Sequence, residues 1–194
     1  MEILALLIGI PLGILASLVA WWILFHYLKP EISFSPKISK LPDERSDSPF
    51  RYRIKIRNSG KRKIIDLQIQ CRYIVSNMYP ELPATDSIVK LYISSDSIPY
   101  IGAGAKDKIE RIYPEKVKIF EKNHFPEDVR KKAKDNTLTL EDILEIEGSY
   151  IEFLVFAFDE YSGSRKLFIS HKYNAENIAT GPFVKGSLEV VESV

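Results

Sequence analysis

Hydrophobic and polar positions follow two different rhythms along the chain. The first 28 residues hold an unbroken apolar run, Ile3–Phe25, with no charge in it. At a rise of ~1.5 Å per residue this run makes about 35 Å of helix, enough to cross a hydrocarbon core of ~30 Å with modest tilt. It is apolar on every face, where a helix lying on a soluble core carries a single stripe. Trp21, Trp22, Phe25 and Tyr27 crowd one end, where amphipathic rings favour the headgroup layer, and Lys29 follows as a cation able to snorkel. The pattern predicts a single transmembrane helix over 1–28. A cleaved signal peptide needs a positive start and an apolar region of ~7–15 residues; here the flank is Met1-Glu2 and the run ends in aromatics.

After Lys29-Pro30 the period becomes two. Glu31–Lys40 alternates Ile32, Phe34 and Ile38 with polar partners and is broken by Pro36, which predicts an edge strand within a membrane-proximal linker, 29–49. Phe50–Arg57 alternates strictly, with Phe50, Tyr52, Ile54 and Ile56 on one face and Arg51, Arg53, Lys55 and Arg57 on the other. This is the pattern of a half-buried strand with a cationic outer face. Asn58-Ser59-Gly60 marks a turn, and Ile65, Leu67, Ile69, Cys71 and Tyr73 alternate along the returning strand.

Further strands are expected at Ser87–Ser94, Tyr150–Phe158, Lys166–Tyr173 and Ser187–Val191, and short helices at Pro126–Lys134 and after Thr139, whose capping partner is Asp142. Many strands and few short helices argue for a mainly β chain: an immunoglobulin-like β-sandwich over 50–194, behind one N-terminal transmembrane α-helix.

Charge gives this arrangement a direction. All 27 Lys and Arg residues lie at or beyond Lys29, so the positive-inside rule places the C-terminal domain in the cytoplasm and the N-terminus outside, in the cell (inner) membrane. From Lys29 to Lys63 there are 11 basic and 4 acidic residues, against 16 basic and 21 acidic from Ile64 onward. The membrane-proximal part is therefore basic, as suits anionic lipid or an anionic ligand. Lys29, Lys37, Lys40 and Arg45 are the candidates for lipid. The single cysteine, Cys71, has no internal disulfide partner, which fits a reducing compartment.

Within the span, Ala5, Gly9, Gly13 and Ser17 recur every four residues, a stripe that lets helix backbones approach closely in lipid. Pro11 interrupts the hydrogen-bond ladder mid-span. These features favour a packed or pore-forming helix, with Glu2 at the outer mouth. Chemistry of other kinds has little to stand on. His26, His124 and His171 lack the spacing of a metal pair, and no Gly-x-Ser-x-Gly, P-loop or dinucleotide fingerprint is present. The adjacent Asp159-Glu160 precede a turn, where carboxylates usually serve solvation. No enzyme activity, cofactor or metal is expected.

The order of motifs in the domain resembles the cytoplasmic domain of inward-rectifier potassium channels. The similar stretches are FRYRIKIRNSGKRKIIDLQIQCRYIV (Phe50–Val75), LYISSDSIPYI (Leu91–Ile101), LTLEDI (Leu138–Ile143), YIEFLVFAFDEYSG (Tyr150–Gly163) and YNAENIATGPF (Tyr173–Phe183). That family's pore has two spans around a re-entrant filter loop. This chain has one span and no filter motif, so potassium selectivity does not carry over. The resemblance implies a tetrameric gating domain that binds a ligand and moves attached helices. A single span on such a base also resembles the small membrane effectors of bacterial antiphage systems of the Hailong type. That likeness implies a homotetrameric channel opened by a nucleotide or single-stranded oligodeoxyadenylate signal from a partner enzyme, depolarising the membrane.

On this reading Arg51, Arg53, Lys55 and Arg57, with Arg72, Tyr73, Arg165, Lys166 and Lys172 as neighbours, are the candidates for phosphate contact and base stacking. A membrane-tethered binding module and an auxiliary subunit of another channel are the alternatives.

Overall fold

A computed structural model describes residues 2–24, 29–43, 48–76, 85–104, 106–122 and 124–191, with side-chain surroundings for all of these except 2–7 and 106. Helix α1 (Glu2–Trp22) occupies the apolar run and contains Pro11. Its 21 residues correspond to about 31 Å of rise. Among the described residues, no helix is long and apolar enough to cross a membrane. Leu12, Leu15, Leu18, Trp21 and Trp22 all stay more than half exposed, so the rest of the chain does not pack over them.

Among the described residues ten strands form one curled sheet. They are β1 (Ile32–Phe34), β2 (Ile38–Pro42), β3 (Phe50–Asn58), β4 (Ile64–Ser76), β5 (Asp86–Ile93), β6 (Ser97–Ile101), β7 (Lys106–Tyr113), β8 (Ser149–Asp159), β9 (Arg165–Ile169) and β10 (Ile178–Thr180). The order is β10-β2-β3-β7-β5-β4-β8-β9, with β1 also on β3 and β6 also on β4. The mainly β character expected from the alternation is what the chain adopts.

The curl has local causes. β5 pairs with β4 through residues 86–91, then turns Tyr92 and Ile93 onto Tyr113 and Ile112 of β7. β4 shifts register against β8 between Ile65 and Gln68, where Asp66 takes a φ of +49°. An extra residue on one strand bends it and increases its twist, and Asp tolerates the left-handed conformation that this needs.

The inward rows meet in one core. Tyr52, Ile54 and Ile56 of β3, Leu67, Ile69, Cys71 and Tyr73 of β4, and Ile151, Phe153 and Val155 of β8 are all buried there, as the two-residue period of a strand requires. Tyrosines enter this core because their hydroxyls find acceptors. Tyr73 donates to the Ile143 carbonyl at 2.9 Å, Tyr173 to the Ser35 carbonyl at 2.6 Å, and Tyr52 to the Glu141 carboxylate. Burial pushes the Tyr73 hydroxyl up to about 12 and raises Tyr52 and Tyr173 as well. Helices α2 (Glu127–Lys134) and α3 (Leu140–Leu144) add Val129, Ala133, Leu140 and Ile143 to the core. Thr139 and Asp142 close the expected capping box at the start of α3.

Several expected elements are corrected. Glu31–Lys40 is two short strands split at Pro36, and β2 is interior, between β10 and β3. β9 ends at Ile169, and Tyr173 meets Ile151 only in an isolated bridge. Ser187–Val191 is not a strand; it meets the chain at Phe183 in an isolated bridge at Val190, and the last strand among the described residues is β10. β7 was not expected from its charged sequence. Phe25, His26, Tyr27 and Arg45 lie outside the described residues.

Candidate functional site

The row Arg51, Arg53, Lys55 and Arg57 does share the outward face of β3, but its members have different surroundings. Residues 182–191 fold back on themselves, through hydrogen bonds from Val184 N–H to the Glu189 carbonyl and from Val191 N–H to the Pro182 carbonyl, and lie against Arg53 and Lys55 in the middle of the row. Lys55 is buried beneath this strap at 4% exposure. Its Nζ donates to the carbonyls of Val184 (3.1 Å) and Ser187 (2.7 Å), and lies 3.6 Å from Asp107 Oδ2.

Arg57 makes a two-pronged pair with Asp107, Nε to Oδ1 at 2.6 Å and Nη2 to Oδ2 at 3.0 Å, directly across the β3–β7 register. The pair raises Arg57 and holds the Asp107 carboxyl below its ordinary value. Lys55 and Arg57 are thus engaged in holding β7 and the strap, which corrects the expectation that they face a ligand.

Arg51 and Arg53 differ. Arg53 Nη2 reaches Ser39 Oγ at 3.3 Å, and Ser39 in turn donates to the Gly181 carbonyl at 2.6 Å. The Nε atoms of both arginines are buried without a hydrogen-bond partner, and among the described residues no carboxylate pairs with either. Burial pushes the Arg53 guanidinium below its ordinary value, and the neighbouring Arg51 charge pushes it further. Directly opposite Arg53 on β7 stands Arg111, ion-paired with Asp43 at an N–O separation of 2.7 Å and lying 4.7 Å from the centre of the Tyr113 ring. The centre of the Phe183 ring lies 5.8 Å from the Arg53 guanidinium. A cavity of about 340 Å³ opens beside Arg53 and Lys55, against Ile109 and residues 182–186.

Sequence reasoning missed Arg111. The signal was the outward row Asp107, Ile109, Arg111 and Tyr113, hidden because the inward row carries the buried Glu110. Glu110 accepts from the Ser94 hydroxyl and from the Ser95 N–H at 2.9 Å, and burial raises its carboxyl above the usual range.

The remaining candidates do not join this face. Tyr73 is fully buried with its hydroxyl on Ile143, so it cannot stack on a ligand. Arg72, on β4 with β7 and β5 between it and β3, donates to Gln70 at 3.2 Å. Arg165 packs 5.1 Å from the Phe156 ring centre on the β8–β9 surface, next to Lys166 on the edge strand. Lys172 lies over Tyr150 at 4.2 Å, beside a depression lined by Asn174 and Glu176. Lys40, a candidate for lipid, is bonded to Glu141 and lies over Phe50, at the end of β3 away from the helix.

A second cluster forms where α1 meets the sheet. Arg62, in the β3–β4 turn, donates from Nη2 to the Leu24 carbonyl at 2.6 Å and from Nη1 to Asp159 Oδ2 at 3.0 Å, with its guanidinium 4.6 Å from the Tyr161 ring centre. Asp159 also accepts from the Ser162 hydroxyl (2.8 Å) and the Tyr161 N–H (3.2 Å), while its neighbour Glu160 pairs with Lys63 at 2.6 Å. The adjacent carboxylates are therefore built into the turn. Lys29, past the helix, is exposed. Gly60 packs so closely on the chain at Lys29–Glu31 that a Cβ there would stand 2.4 Å from Glu31 N.

Along α1, Gly9, Gly13 and Ser17 line an open groove with Ile10, Ile14, Leu18 and Trp21, and Ser17 donates to the Gly13 carbonyl at 2.9 Å. Added methyl groups at Gly9 or Gly13 would meet nothing within 4 Å. The surroundings of the Glu2 and Ala5 side chains lie outside the described residues.

No group of three or more His, Cys, Asp or Glu among the described residues is placed to hold a metal ion. No protein-family model matches the chain, and no curated protein matches it. Among solved structures, the sporulation control protein Spo0M from Bacillus subtilis aligns with 75% of this chain and 48% of its own, at a TM-score of 0.30 and 13% identity. DesR, a β-glucosidase from Streptomyces venezuelae, aligns with 72% of this chain and 15% of its own, at a TM-score of 0.31 and 15% identity.

Proposed function

We propose that the chain is a ligand-gated membrane effector. On this reading α1 crosses the inner membrane with its N-terminus outside, and the curled sheet is an immunoglobulin-like sandwich in the cytoplasm. Four copies assemble as the resemblance to inward rectifiers implies, their α1 helices packing along Gly9, Gly13 and Ser17 around a conducting path. The sheet domain takes up an anionic, nucleotide-derived ligand supplied by a partner enzyme, and the channel depolarises the membrane as part of antiphage defence. The observation that carries the reading is the Arg62 junction: a domain can move a helix only if the two are joined stiffly, and Arg62 ties the Leu24 carbonyl to the buried Asp159 of the sheet. A ligand then opens the path by binding the open arrangement more tightly than the closed one.

Conductance of the full-length protein in planar bilayers, with and without a nucleotide extract from infected cells, tests this. Ligand-dependent current that R62M uncouples is the expected result. Silence under every nucleotide added would sink it. Leu167 and Ile169, exposed on the edge strand β9, favour a second reading, a tethered module that recruits a protein by strand addition. Monomers in mild detergent together with silent bilayers would select it.

A further inference from the structure

We infer that Arg51 and Arg53, with Arg111 opposite, form the receiving site for the phosphate group of a soluble ester. This rests on the reading of the sheet domain as a ligand sensor and names where, and by what chemistry, it senses. Two guanidinium groups stand next to each other on the outward row of β3, each with a buried Nε that has no hydrogen-bond partner. Buried donors left unmade are costly, and a half-buried charge gains from a counter-charge beside it. Among the described residues of this face, Lys55 and Arg57 have Asp107 as a counter-charge and Arg111 has Asp43, although the Nε of Arg111 is a buried donor like those of Arg51 and Arg53. For Arg51 and Arg53 the acceptor is missing from the described chain, and the hydroxyl of Ser39 is a neutral partner for Arg53 alone. A tetrahedral oxyanion with several acceptor oxygens supplies what two adjacent forks lack, and arginine matches phosphate in a bidentate way that lysine does not.

The position selects the source of the phosphate. Asn58 pairs with Ile32 at the end of β3 where the chain arrives from α1. Arg51 is seven residues from Asn58 along that strand, about 23 Å at ~3.3 Å per residue. A lipid headgroup at the end of α1 does not reach it, so the ester is soluble. Phe183, shared by Arg53 and Lys55, and Tyr113, shared by Arg111 and Lys116, border the cations, and their ring edges are the aromatic surface nearest to the organic part of the ester.

The test is calorimetric titration of the full-length protein in zwitterionic nanodiscs with inorganic phosphate, adenosine monophosphate and adenosine, alongside thermal melts. Phosphate and the monophosphate are expected to bind saturably and raise the melting midpoint, and adenosine to do neither. R51Q and R53Q each weaken phosphate at least tenfold, R53K recovers part of the loss, and K131Q on α2 stays within twofold of the parent. In phosphate-free buffer R51Q melts no lower than the parent, because it removes one of two mutually repelling charges; a lower midpoint would assign Arg51 a structural role and overturn the site. Absence of saturable phosphate binding, or binding that survives R51Q/R53Q, overturns it too. So does competition from anionic lipid added to the nanodiscs, which would give the pair to headgroups. Current that persists in R51Q/R53Q removes the site and leaves the channel reading standing. Phosphate binding that needs both arginines, in a protein that never conducts, removes the channel reading and leaves the site.

Discussion

Arg62 and Asp159 meet at 3.0 Å at the point where α1 joins the sheet, and the same guanidinium closes on the Leu24 carbonyl. The contact joins two requirements. A helix end presents carbonyls without intrahelical partners and a partial negative charge, which a cation satisfies. Asp159 is 2% exposed and needs a positive partner of its own. One guanidinium serves both because its nitrogens form a fork with fixed geometry.

Replacing Arg62 with Met should therefore cost more than a surface pair would. It strands Asp159 as a buried charge and frees the helix end, and breaking one partner of a buried pair typically costs ~3 kcal/mol or more. D159N should cost less, because the Ser162 hydroxyl and the Tyr161 N–H still have an oxygen to donate to. Denaturant unfolding in detergent micelles measures both. An R62M midpoint equal to the parent's would show that the junction contributes nothing.

The acidic limb of stability should carry the signature of Asp159. Burial alone would raise its carboxyl; the bonds from Ser162, Tyr161 and Arg62 outweigh this and hold it below the ordinary 3.8 of an aspartate. A depressed carboxyl contributes stability that is fully present above its unfolded pKa and is lost as pH falls through the folded one. Glu110 has the opposite sign. Its raised carboxyl favours folding below the ordinary 4.5 and loses that contribution as pH rises through the folded value. Unfolding midpoints from pH 2.5 to 8 should thus be flatter on the acid side in D159N and flatter on the neutral side in E110Q. Curves parallel to the parent's in both variants would refute the assignment.

The sheet was legible wherever one face of a strand is apolar. The rows Tyr52, Ile54, Ile56 and Ile69, Cys71, Tyr73 announce β3 and β4 because the core takes every second residue. β7 was not legible, since Asp107 and Arg111 face outward while Glu110 points inward, leaving charge on both faces. Its partners are what make it a strand, and Asp107 is acceptable there only because Lys55 and Arg57 stand across from it. The candidate site failed in sequence for the same reason. Four cations in a row read alike until the strap and Asp107 remove two of them, and Arg111 enters from a strand far away in the chain.

Lys55 should control how firmly the C-terminal strap closes. Its ammonium is the donor to the carbonyls of both Val184 and Ser187, and charged hydrogen bonds are worth ~1.5–3 kcal/mol each. K55M leaves those carbonyls without that donor, while Asp107 keeps Arg57. Tryptic cleavage after the exposed Lys185 should then accelerate tenfold or more, since ~1.4 kcal/mol is a factor of ten in the open population. Equal cleavage rates would mean that the strap is held by its own backbone bonds.

Gly60 should be intolerant of alanine although nothing about its local conformation demands glycine. A Cβ at this position would lie 2.4 Å from Glu31 N, 2.7 Å from the Lys29 carbonyl oxygen and 2.8 Å from Pro30 C, all backbone atoms that cannot rotate away. Ser59 and Gly60 N–H groups both donate to the Glu31 carbonyl, so the segment leading from α1 to β1 is seated on this turn. G60A must push that segment outward, and overpacking of this kind costs ~1–3 kcal/mol. S59A, which loses the exposed hydroxyl's contacts with Ser33 and with the Glu31 carbonyl (3.4 Å) but keeps the Ser59 N–H bond to that carbonyl, should stay within ~0.5 kcal/mol of the parent. The same turn also carries Arg62, so a displaced turn works on the Arg62 bonds to Leu24 and Asp159. G60A should therefore lower the unfolding midpoint and, on the proposed channel function, the ligand-dependent current as well, whereas a purely local clash would lower the midpoint and leave the current per folded protein unchanged.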